Sequence, residues 1–210
     1  GVPPRKRQPT TQPAEVPLIN GGNLSRQSRP PLFSIKNKLG LIASELLDAW
    51  SRLPKQDHVP FRASFDPMSV PRVLPVIILF ERSEHGWRFR LVGTEIDRRW
   101  GRTVTGLEYP YLVSSNALQA TRREFEGIAQ TPCGSFSVAY VTFNSGRGAA
   151  LEILRLPMRT DDSRVSLILC SAAEVSKRNI SHGPDPAQEI GGFEQRQFFD
   201  IGAGLSCERW

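Results

Sequence analysis

At 210 residues the chain is long enough for one domain with a well-buried core plus tails. Its formal charge is +6, but residues 1–38 hold seven basic residues against Glu15 alone, and the remaining 20 basic and 20 acidic residues cancel. That balance argues against a nucleic-acid-binding face on the domain itself, and no apolar run exceeds the eight residues Val73 to Phe80, where a membrane-spanning helix needs roughly 20.

Residues 1–38 also carry seven prolines and few apolar side chains. Nothing there offsets the entropy of ordering the backbone, so the segment reads as a disordered basic tail. It lacks the apolar core and small-residue cleavage site of a secretory signal. Its Arg5-Lys6-Arg7 cluster is a solvated tail or a weak contact for phosphate or anionic lipid. Cys133, Cys170 and Cys207 are odd in number and far apart, and His58, His85 and His182 are scattered. This argues against a structural metal or a disulfide framework and for ordinary cytoplasmic thiols.

Order is expected from Leu39. Leu39, Ile42, Ala43, Leu46, Leu47, Trp50 and Leu53 recur at helical spacing, and Pro54 ends the pattern. This amphipathic helix packs on its own domain or forms a dimer or partner interface; Leu46 and Trp50 are the candidate contacts. Pro60, Pro67, Pro71 and Pro75 make residues 55–75 a loop, with Asp66 placed to cap a short turn that starts at Pro67. Val76 to Arg82 reads as a buried strand, and Ser83-Glu84-His85-Gly86 as a turn. In the next strand Trp87, Phe89 and Leu91 are expected on one face, Arg88 and Arg90 on the other. A short helix follows from Thr94, its expected cap, to Trp100, with Gly101 as the stop.

Ser114 to Gln130 reads as a longer helix, with Arg122 and Glu126 spaced to pair. Three strands complete the domain: Gly134 to Phe143, Ala149 to Met158 and Arg164 to Ala172. They are joined by hairpin turns at Gly146-Arg147-Gly148 and at Asp161-Asp162. Residues 174–210 read as a linker through Gly183-Pro184-Asp185-Pro186 and then an apolar tail. Phe198 and Phe199 there either dock back on the domain or bind a partner as a short peptide.

The order of elements resembles the PAS fold: α+β, a five-stranded antiparallel sheet with helices on one face, preceded here by the amphipathic N-terminal helix. At residue level, over 39–173, the chain looks like the bacterial stand-alone PAS-like domain family. The carrying segments are Phe65-Asp66-Pro67, Val70 to Pro75, Phe89-Arg90-Leu91-Val92-Gly93-Thr94 and Gly101-Arg102 leading to Thr105-Gly106. The helix end Leu46-Leu47-Asp48-Ala49-Trp50 also fits. The resemblance implies a regulator that binds a small molecule or a partner between sheet and helices, and that dimerises through a flanking helix.

The residues supply no catalytic set. No GxxxxGK[ST] loop and no GxSxG elbow occurs. Gly146-Arg147-Gly148 opens a strand rather than a helix, so it lacks the N-terminus that makes phosphate loops work. No histidine falls on the longer helix as a haem ligand, and no cysteine stands where a flavin adduct needs one. The expectation is therefore no enzyme, no cofactor and no metal. Leu91, Trp100, Phe125 and Tyr140 are the candidate pocket wall, and Arg155 the polar contact inside it. The same residues serve equally as core, because pockets are lined by the same side chains. The expected function is a cytoplasmic, non-catalytic sensory or regulatory module acting on an unidentified signalling protein. The alternative is a nucleic-acid-associated regulator that uses the basic tail, where phosphate contacts would show as a steep salt dependence.

Overall fold

The computed structural model describes residues 35–109, 115–160, 164–175 and 186–203. The Arg5-Lys6-Arg7 cluster, the Asp161-Asp162 turn, His182 and Cys207 lie outside them. The elements are α1 (Leu41–Arg52), β1 (Lys55–Gln56), β2 (Val59–Pro60), β3 (Ile77–Ser83), β4 (Gly86–Val92), α2 (Thr94–Trp100) and β5 (Glu108–Tyr109). They continue as α3 (Ser115–Gln130), β6 (Gly134–Phe143), β7 (Gly148–Arg159), β8 (Val165–Glu174) and β9 (Ala187–Phe199). Three 3₁₀ turns lie between β2 and β3. No described helix is long and apolar enough to cross a membrane.

The main sheet is antiparallel with the order β5-β4-β3-β8-β7-β6-β9. The five expected strands form its centre, and β5 and β9 extend the two edges, so the sheet has seven strands rather than five. β9 was hidden because its pairing with β6 shifts register three times, and Gly191 and Gly192 interrupt its apolar alternation.

Alternation along the central strands divides the interior in two. Ile78 and Phe80 of β3, Ile153 of β7 and Cys170 of β8 face α2 and α3. Ile77 and Leu79, Leu154 and Leu156, and Leu167 and Leu169 face α1 and the proline-rich loop. Both faces of the sheet are thus covered, and β7 is buried over nearly its whole length.

The local signals mostly act as expected. Asp66 Oδ1 accepts from the Met68 amide at 2.9 Å, with Pro67 at the first position of the turn. α1 stops at Arg52, and Leu53 before Pro54 is extended. Gly101 closes α2 in the left-handed region at φ 67°. The N-cap of α2 is Gly93 rather than Thr94. A Cβ at Gly93 would lie 2.2 Å from the Leu74 carbonyl oxygen, so close approach of two backbones reserves this position for glycine. Glu126 does not turn to Arg122; it bonds Arg82 and accepts from Trp87 Nε1 at 3.2 Å. The domain also begins earlier than Leu39, because Ile35 is fully buried beside α1.

The β3–β4 hairpin carries an ion cluster with a calculable pH signature. Glu81 accepts from Arg88 Nε at 2.9 Å and bonds Arg90 as well. Burial acts to raise the Glu81 carboxyl, but the hydrogen bonds and charges of Arg88 and Arg90 outweigh it and hold the pKa below its ordinary 4.5. The folded state therefore binds fewer protons than the unfolded chain in that window. The stabilisation is present above the unfolded pKa and is lost as pH falls through the folded value. The stability gap between the native protein and Glu81→Gln should be flat above about pH 5.5. It should shrink as the pH is lowered through 4.5 and beyond, as read by urea unfolding at each pH.

Candidate functional site

Between the sheet and its α2–α3 cover lies a cavity of about 50 Å³. Its floor is the sheet: Ile78 and Phe80 from β3, Phe89 from β4, Leu151, Ile153 and Arg155 from β7, and Cys170 and Ala172 from β8. Ile96, Arg99 and Trp100 of α2 close one side, and Phe125 of α3 and Tyr109 of β5 another. Ile190 and Phe193 of β9 complete the wall.

Aromatic rings fill most of this space. Phe80 lies 4.9 Å from both Phe89 and Phe125, and Tyr109 stacks on Phe125 at 5.6 Å and 29°. The Tyr109 phenol is raised in pKa by burial, so it stands in the wall as a neutral O–H group. Burial likewise pushes the Cys170 thiol up to about 12, which keeps it protonated and a poor nucleophile.

A buried charge network borders the cavity. Arg155 is 3% exposed and Glu124 is 1% exposed. Arg155 Nη1 donates to Glu124 Oε1 at 3.0 Å and to Ser137 Oγ at 2.9 Å. Ser135 Oγ also donates to Glu124. Arg196 of β9 stands 3.3 Å from Glu124 Oε2 through its Nε, close enough to pair but not aligned as a hydrogen bond. Burial lowers the Arg196 pKa and Glu124 acts against that. Arg155 also lies over Phe125 and Phe193, with its guanidinium carbon 5.9 and 5.5 Å from their centroids. A third arginine, Arg99, is 6% exposed and donates through both Nη atoms to the Ala172 carbonyl at 3.2 and 3.3 Å.

The structure brings together Trp100, Phe125 and Arg155, and it excludes Leu91 and Tyr140. Leu79 pairs with Leu91 but Phe80 pairs with Phe89, so a bulge at Arg90 adds one residue to β4. One extra residue inverts the alternation, and Leu91 packs on the α1 side of the sheet while Phe89 stays in the cavity. Tyr140 is 48% exposed on β6.

The expected partner contacts also lie elsewhere than at the surface. Leu46 and Trp50 are buried against the sheet, and Trp50 Nε1 donates to the Pro157 carbonyl at 3.0 Å. The apolar face of α1 is thus used within the domain. Phe198 is half-buried against the cavity-side core, and Phe199 is fully buried in the α1-side core. The Phe199 ring occupies the place of a Cβ at Gly134, 2.0 Å from that position. The tail docks back as a strand.

Among the charged residues at the site, sequence reasoning passed over Arg99, Glu124 and Arg196. Arg99 follows Ile96 by three residues, and Glu124 lies beside Phe125 and four before Ile128, so each charge falls on an apolar helical face. That mismatch was the available signal.

No significant match is found among curated proteins. Among solved structures, a LOV protein of Rhodobacter sphaeroides is similar at 14% identity and a TM-score of 0.38, over 51% of this chain and 63% of that one. The likeness thus spans less than two thirds of that protein's length. The dark structure of the LOV domain of the blue-light photoreceptor aureochrome 1 is similar at 11% identity and a TM-score of 0.40, over 54% of this chain and 88% of that one. The family model described as "PAS domain" matches residues 42–172, more than half of the chain. With that span, and with an antiparallel sheet enclosing a walled cavity under helices, the chain belongs to the PAS domain family.

Proposed function

We infer that this domain serves, as PAS domains generally do, as a sensory signalling module. We propose that it is a non-catalytic sensor that takes a small molecule into the cavity between β7, β8, α2 and α3, and that β9 carries the resulting change to a partner protein. The observation that carries this reading is the composition of the cavity wall. Ile190 and Phe193 of β9 line it directly, alongside buried Arg99 and Arg155. Ligand pockets usually enclose roughly 300–1,000 Å³, so a cavity of about 50 Å³ must enlarge to admit a ligand. The wall suited to yield is β9, an edge strand whose register with β6 breaks three times. Among the described residues no acid–base pair or activated nucleophile faces the cavity: the thiol there is protonated and Glu124 is committed to two arginines. Cys133 and Cys170 are buried and form no disulfide among the described residues, in keeping with a reducing cytoplasmic setting.

Blocking the cavity tests the reading. Ala172→Phe should abolish fragment binding seen by ligand-observed NMR on the full chain. The added ring should cost about 1–3 kcal/mol of stability by overpacking. Fragments that bind both forms equally would place the ligand elsewhere and end the sensor reading of this cavity.

A further inference from the structure

The charges around the cavity do not balance. Arg155 has Glu124 as its counter-ion at 3.0 Å, and Arg196 shares the same carboxylate. Arg99 has no contact counter-ion among the described residues: its bonds are those to the Ala172 carbonyl, and the carboxylates of Glu174 and Glu95 act on it only through space. Burial lowers its pKa to about 10, which still leaves it charged at neutral pH. A buried cation without a contact counter-ion is costly, and an anion that reached it would offset that cost.

The surroundings describe what such an anion would look like. Arg99 projects from the last turn of α2 into a space walled by Ile78, Phe89 and Ile153. The carbonyl that holds it belongs to Ala172, two positions along β8 from Cys170, the residue paired with Arg155. Two positions of a strand span roughly 7 Å. The site thus offers a guanidinium fork at one end, an apolar slot, and a second guanidinium already neutralised by Glu124 at the other. A planar carboxylate matches the fork, and a short apolar body matches the slot.

We propose that the cavity binds a small organic monocarboxylate, an acid group on a short aliphatic or aromatic body, with its charge on Arg99. This rests on the cavity being the sensing site.

The test uses the full chain at pH 7 with benzoate and hexanoate as probes and benzyl alcohol and hexanol as neutral counterparts. Calorimetry gives affinity, and amide NMR shifts at Ile153 and Phe193 give location. The acids should bind at least tenfold more tightly than the alcohols. Arg99→Met should weaken the acids at least tenfold and leave the alcohols unchanged. Arg99→Gln, which keeps a donor for the Ala172 carbonyl, should show the same discrimination and guards against misfolding of the first variant. Alcohols that bind as well as acids, with neither variant mattering, would overturn the charge recognition and leave the cavity standing. Silence from all four probes at cavity residues would overturn both.

Discussion

Glu124→Ala should be among the most damaging single changes in the domain. It removes the carboxylate that Arg155 and Arg196 share, and it strands Arg155 with its side chain 4% exposed. Breaking one partner of a buried pair costs about 3–5 kcal/mol, because the surviving charge stays desolvated. In a domain of this size that lowers the melting temperature by about 6–20 °C. The cost belongs to the orphaned cation and not to the missing contact. The double variant Glu124→Met with Arg155→Met should therefore unfold later than Glu124→Ala alone. Urea unfolding of the three proteins settles it. A double variant no better than the single would mean that the network stabilises through its geometry rather than through charge balance.

Trp50→Ala should cost about as much, about 3–5 kcal/mol, for a different reason. The indole is 1% exposed, sits in the α1-side core and donates to the Pro157 carbonyl near the C-terminal end of β7. Truncation leaves both a cavity and a buried carbonyl without its donor. Lys55, 4.7 Å above the ring, loses its aromatic partner as well. Were Trp50 a partner contact, its loss would leave stability nearly unchanged, since surface substitutions fall within about 0.5 kcal/mol. Thermal unfolding of Trp50→Ala in isolation separates the two roles. Trp50→Phe, which keeps most of the volume but not the donor, should fall between Trp50→Ala and the native protein.

The fold was readable wherever one pattern ran without interruption. β6 spans Gly134–Phe143 and α2 spans Thr94–Trp100, as their periodicities predict. Alternation failed where the backbone changed its count. Nothing in Phe89-Arg90-Leu91 announces a bulge, and a bulge is enough to move Leu91 to the opposite face. β9 failed for a related reason: its three register shifts and the left-handed Gln195, at φ 51°, blur the period of two. The site was half-legible. Aromatic residues such as Phe125 mark the cavity by type alone. Arg99 sits in the charged run Asp97-Arg98-Arg99, where a lone arginine reads as solvated until its helical phase with Ile96 is counted. Leu46 and Trp50 lie in the core because α1 covers the face of the sheet that the helices α2 and α3 leave open.

The seating of Phe199 against Gly134 has a mechanical consequence. Phe193 belongs to the cavity side of the sheet, while Phe199 and Ile201 belong to the α1 side. One strand therefore passes from one compartment to the other, with its far end wedged where no Cβ could fit. If a ligand enlarges the cavity as proposed, β9 would act as a lever with its fulcrum at Phe199. Its Ile190 end, paired with Val141 and packed on the cavity side, would then shift with the cavity's volume, while the Phe199 end stays in the layer that holds α1. A strand clamped at one end would turn a change of volume inside the protein into a change of angle at the sheet's edge.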